Sequence, residues 1–102
     1  MSKLYLSGPI TGLEIDEARE RFAAAQELME LQGWEVVNPM DNGVPVEAAW
    51  EEHLAADIMA LLGCKAVAML PGWEASRGAR LEHALAKKIG MRMIIYRNKK
   101  NE

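Results

Sequence analysis

Ala66-Val67-Ala68-Met69-Leu70, stopped by Pro71-Gly72, is the stretch whose reading decides the fold. Five apolar residues in a row, without alternation, suit a strand covered on both faces, as in a parallel sheet. Helical patterns flank it on both sides. Upstream, Val46 to Leu62 carries Trp50, Leu54, Ile58 and Leu61 on one helical face and ends at Gly63. Downstream, Arg77 to Ile89 places Leu81, Leu85 and Ile89 in one stripe, with Gly90 at its end.

The same alternation continues outward. Lys3 to Ser7 reads as a strand stopped by Gly8-Pro9. Ile15 to Gln32 reads as a helix with Ile15, Ala18, Phe22, Ala25 and Met29 stepping by three and four. Trp34 to Val37 is a second strand, ended by Asn38-Pro39, and Met40 to Pro45 is a loop. Met93 to Tyr96 is a last strand, and 97–102 is a polar tail expected to fray. The order β-α-β-α-β-α-β predicts a single-domain α/β fold over 1–96, with a mainly parallel four-stranded sheet between helical layers. Right-handed crossovers lead to the strand order 2-1-3-4, a Rossmann- or flavodoxin-like arrangement. Its topological switch lies between the first and third strands, and ligands bind there at the carboxyl ends of the strands.

Composition narrows the function. Of 102 residues, 50% are hydrophobic and 26% charged, which excludes a disordered chain. A net charge of −3 gives no footprint for a nucleic-acid polymer, although a few local donors suffice for a mononucleotide. The lone cysteine, Cys64, cannot form an internal disulfide, and no apolar run approaches a membrane span or a secretory signal. A cytoplasmic protein is expected. Two histidines and one cysteine, without paired ligand spacing, supply no metal site.

Two loops meet at the expected crevice, Ser7-Gly8-Pro9-Ile10-Thr11-Gly12 and the segment from Pro71 to Ser76. Glu82, one turn after Gly78, projects from the third helix beside Leu85 toward the sheet, where a carboxylate loses water and needs a reason to stay. The alternative is a first-turn glutamate complementing the helix dipole from solvent. Asp57 rides the apolar face of the second helix, three residues after Leu54; the alternative is a solvated aspartate paired with His53. Ser76 is a good N-cap, and the free N–H groups around Gly78 attract an anion; a plain cap is the alternative. Arg77 and Arg80 either add charge there or are solvated. Tyr5, two residues before Ser7, can aim its phenol at a carboxylate, or be core. Trp73 at the crevice mouth can stack on a base or pack elsewhere; Trp34 and Trp50 read as core. His53 and His83 read as surface residues, and Cys64 as a buried apolar one. Carboxylates with hydroxyl donors, and no metal cluster or Ser-His-Asp arrangement, suit glycosidic chemistry.

Tyr5-Leu6-Ser7-Gly8-Pro9, Asn38-Pro39, Asp57 and Ser76-Arg77-Gly78-Ala79-Arg80-Leu81-Glu82 occur in the order found in the nucleoside 2-deoxyribosyltransferase superfamily. The chain resembles that superfamily from Leu4 to about Tyr96, and most of all its short bacterial and phage members. The superfamily includes the 2′-deoxynucleoside 5′-monophosphate N-glycosidases. The resemblance implies that Glu82 is the nucleophile, that Tyr5 orients it, and that Asp57 lies near the sugar and leaving base. It implies that Ser76 and Gly78 hold the 5′ end of the substrate and that Gly8 lies against the ligand; Ser7, Pro9 and Trp73 are expected to bind substrate from their place at the crevice. It also implies no cofactor, a homodimer or larger homo-oligomer, and cleavage or transfer at the N-glycosidic bond of a nucleoside or its 5′-monophosphate. Hydrolysis is favoured over transfer. The loop after the first strand, Ile10-Thr11-Gly12, lacks the arginine that the monophosphate hydrolases often carry. The rival expectation is a nucleotide-binding module, a sensor or phage accessory factor, without turnover.

Overall fold

The structure is a computed structural model that describes residues 2–96; the expected polar tail lies outside the described residues. Four strands, β1 (Lys3–Ser7), β2 (Glu35–Val37), β3 (Ala66–Met69) and β4 (Arg92–Ile95), form one all-parallel sheet in the order β2-β1-β3-β4. Helices α1 (Ile15–Leu31), α2 (Trp50–Leu62) and α3 (Arg77–Lys88) make the crossovers, with short 3-10 turns at Pro39–Asp41 and Trp73–Ala75. The α/β class and the strand order are those the sequence predicts.

β1 and β3 are the two central strands, and their alternating side chains serve two cores. Leu4, Leu6, Ala66, Ala68 and Leu70 pack against Phe22, Ala25 and Met29 of α1. Tyr5, Val67 and Met69 point the other way and meet Leu61 of α2 and Ala79 and Ala86 of α3. Because strand side chains alternate with a period of two, Tyr5 and Ser7 share the face that α3 covers. Ser7 is thereby carried fully buried to the carboxyl end of β1.

Three expectations are corrected. The second helix begins at Trp50, not Val46. The Ala48 N–H donates to the Pro45 carbonyl and closes a turn, and Ala49 is extended, so the chain cannot spiral before Trp50. The stripe Leu81, Leu85, Ile89 is not the buried face of α3: Leu81 and Ile89 are exposed, whereas Ala79, Glu82 and Ala86 are buried. Small alanines bring the helix close to the sheet and leave Glu82 the depth that a leucine would otherwise fill. Trp34 and Trp50 are half-buried rather than core; Trp34 edges the α1 core and Trp50 faces a cleft.

The end of β1 is tight. A Cβ at Gly8 would lie 2.8 Å from the Leu70 Cβ, so only glycine fits where the two central strands run out. The adjacent Leu70 N–H donates to the Ser7 carbonyl at 2.7 Å.

Candidate active site

A cleft of about 590 Å³ opens at the carboxyl ends of β1 and β3, where the strand order reverses. That volume suits a ligand of nucleoside or nucleotide size. Glu82 and Asp57 line it from α3 and α2, Gly8 from the end of β1, and Ser76 and Gly78 from the start of α3.

Glu82 is 6% exposed and both its carboxylate oxygens are held. The Tyr5 hydroxyl donates to Oε2 at 2.9 Å and the Ser7 hydroxyl donates to Oε1 at 2.6 Å. Both donors come from one face of one strand, so the carboxylate is fixed from below and faces the cleft. Burial pushes its pKa up to about 7; the Ser7 and Tyr5 bonds pull it down and the nearby Asp57 charge pushes it up. Burial, then the Glu82 charge, hold the Tyr5 phenol far above its ordinary value, so it stays a donor.

Asp57 is 8% exposed, on the inner face of α2. Burial raises its pKa, against a hydrogen bond from Asn42 and the opposing influence of His53. Two buried carboxyls of raised pKa in one cleft are suited to divided work, one as base or nucleophile and one as proton carrier.

Ser76 caps α3, as the sequence suggests. The Ser76 hydroxyl accepts from the Ala79 N–H at 3.3 Å. A Cβ at Gly78 would meet only Leu54, at 4.0 Å, so packing does not demand a glycine there. Arg77 lines the cleft with its guanidinium 3.6 Å from the Trp50 ring centroid, whereas Arg80 is exposed and away from the lining.

Some expected residues fall elsewhere. The Ser7 hydroxyl is spent on Glu82 and is not part of the cleft wall. Pro9 also stands outside the lining, packed toward Gly72. Trp73 does not face the cleft; its ring stacks on His83 with centroids 4.2 Å apart, so His83 is half-buried rather than solvated. Cys64 is buried, and its thiol donates to the Ala60 carbonyl. Among the lining residues that escaped the sequence reading in this role are Arg19, Asn42, Trp50 and His53. The Asn42-Gly43 pair signalled a turn, and His53 stands four residues before Asp57, but neither pattern announces a cleft wall. Among the described residues no three His, Cys, Asp or Glu side chains are grouped as metal ligands would be. No described helix is long and apolar enough to cross a membrane.

Residues 2–96 match the family described as "Domain of unknown function (DUF4406)". The chain belongs to that family. No curated protein matches it. Among solved structures, it is similar to a 2-desoxiribosyltransferase from Leishmania mexicana, with a TM-score of 0.69 and 18% sequence identity. The match covers 94% of this chain and 64% of that one. At that identity the likeness is one of fold, and this chain spans less than two thirds of the other's length.

Proposed function

We propose that this cleft cleaves the N-glycosidic bond of a (deoxy)nucleoside or nucleoside 5′-monophosphate through Glu82. The observation that carries the reading is the Glu82 carboxylate, buried at the strand ends with one hydroxyl donor on each oxygen. Such a group is fixed in direction, poorly solvated and ready to attack. A Glu82 oxygen bonds to C1′ while the C1′–N bond breaks and its electron pair leaves with the base. Asp57, facing the cleft from α2, passes the proton to the base. Water then attacks C1′, its hydroxyl stays on the sugar, Glu82 leaves as carboxylate, and the second water proton returns to Asp57. Tyr5 and Ser7 hold the nucleophile throughout.

Gly8, Ser76 and Gly78 border the space for the sugar and its 5′ end, with Arg77 beside them to favour an anionic substituent. Trp50, not Trp73, supplies the aromatic wall for a base. Hydrolysis is the preferred outcome because the cleft is open to water. The test is incubation with a panel of deoxynucleosides and deoxynucleotides, with free base quantified by chromatography. The wild-type protein releases base and Glu82→Ala does not. Full activity in Glu82→Ala refutes the nucleophile. Binding by calorimetry with no base released over long incubation favours a nucleotide-binding module instead.

A further inference from the structure

Asn42 stands where three groups meet. Its Oδ1 accepts from the Val44 backbone N–H at 2.9 Å. Its Nδ2 lies 3.1 Å from Asp57 Oδ1 and 3.1 Å from His53 Nδ1. A backbone N–H can only donate, so the carboxamide oxygen must be the atom facing Val44. That orientation turns the NH₂ group toward Asp57 and His53, whatever the protonation of Asp57. Both atoms facing it must then accept. A proton on His53 Nδ1 would set two donors against each other at 3.1 Å, so the ring carries its proton on Nε2.

The consequence lies on the other edge of the ring. His53 is half-buried and lines the cleft, and its Nδ1 is occupied by Asn42. Among the described residues no hydrogen-bond partner takes Nε2–H, and it is not among buried atoms lacking a partner. Nε2–H is thus an uncommitted donor on a residue of the cleft wall.

We infer that Asn42 locks His53 as the Nε2–H tautomer, and that His53 thereby acts as a fixed donor selecting leaving bases with an acceptor, a ring nitrogen or carbonyl oxygen, in reach. The choice of a base as the ligand rests on the N-glycosidase reading; the tautomer does not. A donor aimed at the base strengthens as negative charge gathers there during C1′–N cleavage, without giving up its proton. An analogue lacking the acceptor leaves that donor unpaired, and such sites discriminate strongly. Asn42 is a positioning residue, acting through His53 and Asp57.

Two measurements test this. Long-range ¹⁵N–¹H NMR of the wild-type protein at about pH 8 reports the tautomer directly, with His83→Gln assigning the two rings. A pyridine-like Nδ1 and pyrrole-like Nε2 at His53 are expected, with Asn42→Ala drifting toward mixed tautomers. A pyrrole-like Nδ1 in the wild type overturns the inference, and this readout needs neither activity nor a variant of the site. The second is kcat/KM for purine deoxynucleosides and their 3-deaza and 7-deaza counterparts, in wild type and His53→Phe. One deaza change should cost the wild type roughly 10- to 100-fold more than it costs His53→Phe, a ratio that cancels intrinsic bond lability. Equal ratios for both analogues overturn the selecting role. The Nε2–H tautomer in a protein that releases no base supports the locked donor and refutes the N-glycosidase reading alone.

Discussion

Replacing Glu82 by glutamine removes a charge that the fold holds at a loss, and the size of the effect follows from the burial. The Glu82 carboxyl is 6% exposed and its pKa rises from an ordinary 4.5 to about 7. A carboxyl whose folded pKa is raised binds more protons folded than unfolded between those values. Its contribution is fully present below pH 4.5 and is lost as pH climbs through about 7. At about 1.4 kcal/mol per unit, the loss is about 3 kcal/mol. Glutamine mimics the protonated acid, because its carboxamide can both accept from Tyr5 or Ser7 and donate to the other. Urea unfolding of Glu82→Gln and wild type, followed by circular dichroism from pH 4 to 8.5, measures this. The variant should match the wild type near pH 4 and exceed it by about 3 kcal/mol above pH 8, while losing base release. For a domain of this length that is a melting-temperature gain on the order of 10 °C or more. Equal stability at all pH values, or a less stable variant at high pH, would refute the argument that burial dominates this carboxyl.

Three further outcomes are expected. The pH profile of kcat/KM for base release should have its acid limb near pH 7, since Glu82 attacks only when ionised. Tyr5→Phe removes a donor that lowers that pKa, so the limb should move to higher pH and kcat should fall roughly 10- to 100-fold. Gly8→Ala should destabilise the protein by about 1–3 kcal/mol in urea titration, because its Cβ would sit 2.8 Å from the Leu70 Cβ at the junction of two strands.

What the sequence made legible here, and what it hid, follow one physical division. The sheet was readable because Ala66 to Leu70 is uniformly apolar and glycines punctuate every helix. Periods of two along a strand and 3.6 around a helix made an inward Tyr5 and an inward Glu82 possible readings, but their pairing came from the resemblance. The helix faces were less so: apolarity pointed to Leu81 and Ile89, but close approach of α3 to the sheet favoured Ala79 and Ala86. Loop residues were hidden. Whether Trp50 or Trp73 walls the cleft depends on the turn at Pro45–Ala48 and on the His83 ring, neither of which carries a periodic signal. Asn42 joins Val44, His53 and Asp57 only because that loop folds back over α2.

The central claim is that Glu82 is the atom source for a covalent bond to C1′. A 2-deoxy-2-fluoro nucleoside slows both steps by disfavouring positive charge at C1′, and slows release of the sugar most when the first step is driven by a good leaving base. Intact-mass spectrometry of the protein after such treatment, followed by peptide mapping, reads the bond itself. The account predicts a single added fluorosugar on the peptide containing Glu82, absent in Glu82→Gln. Base release without any adduct, or a sugar carried on another residue, would contradict it.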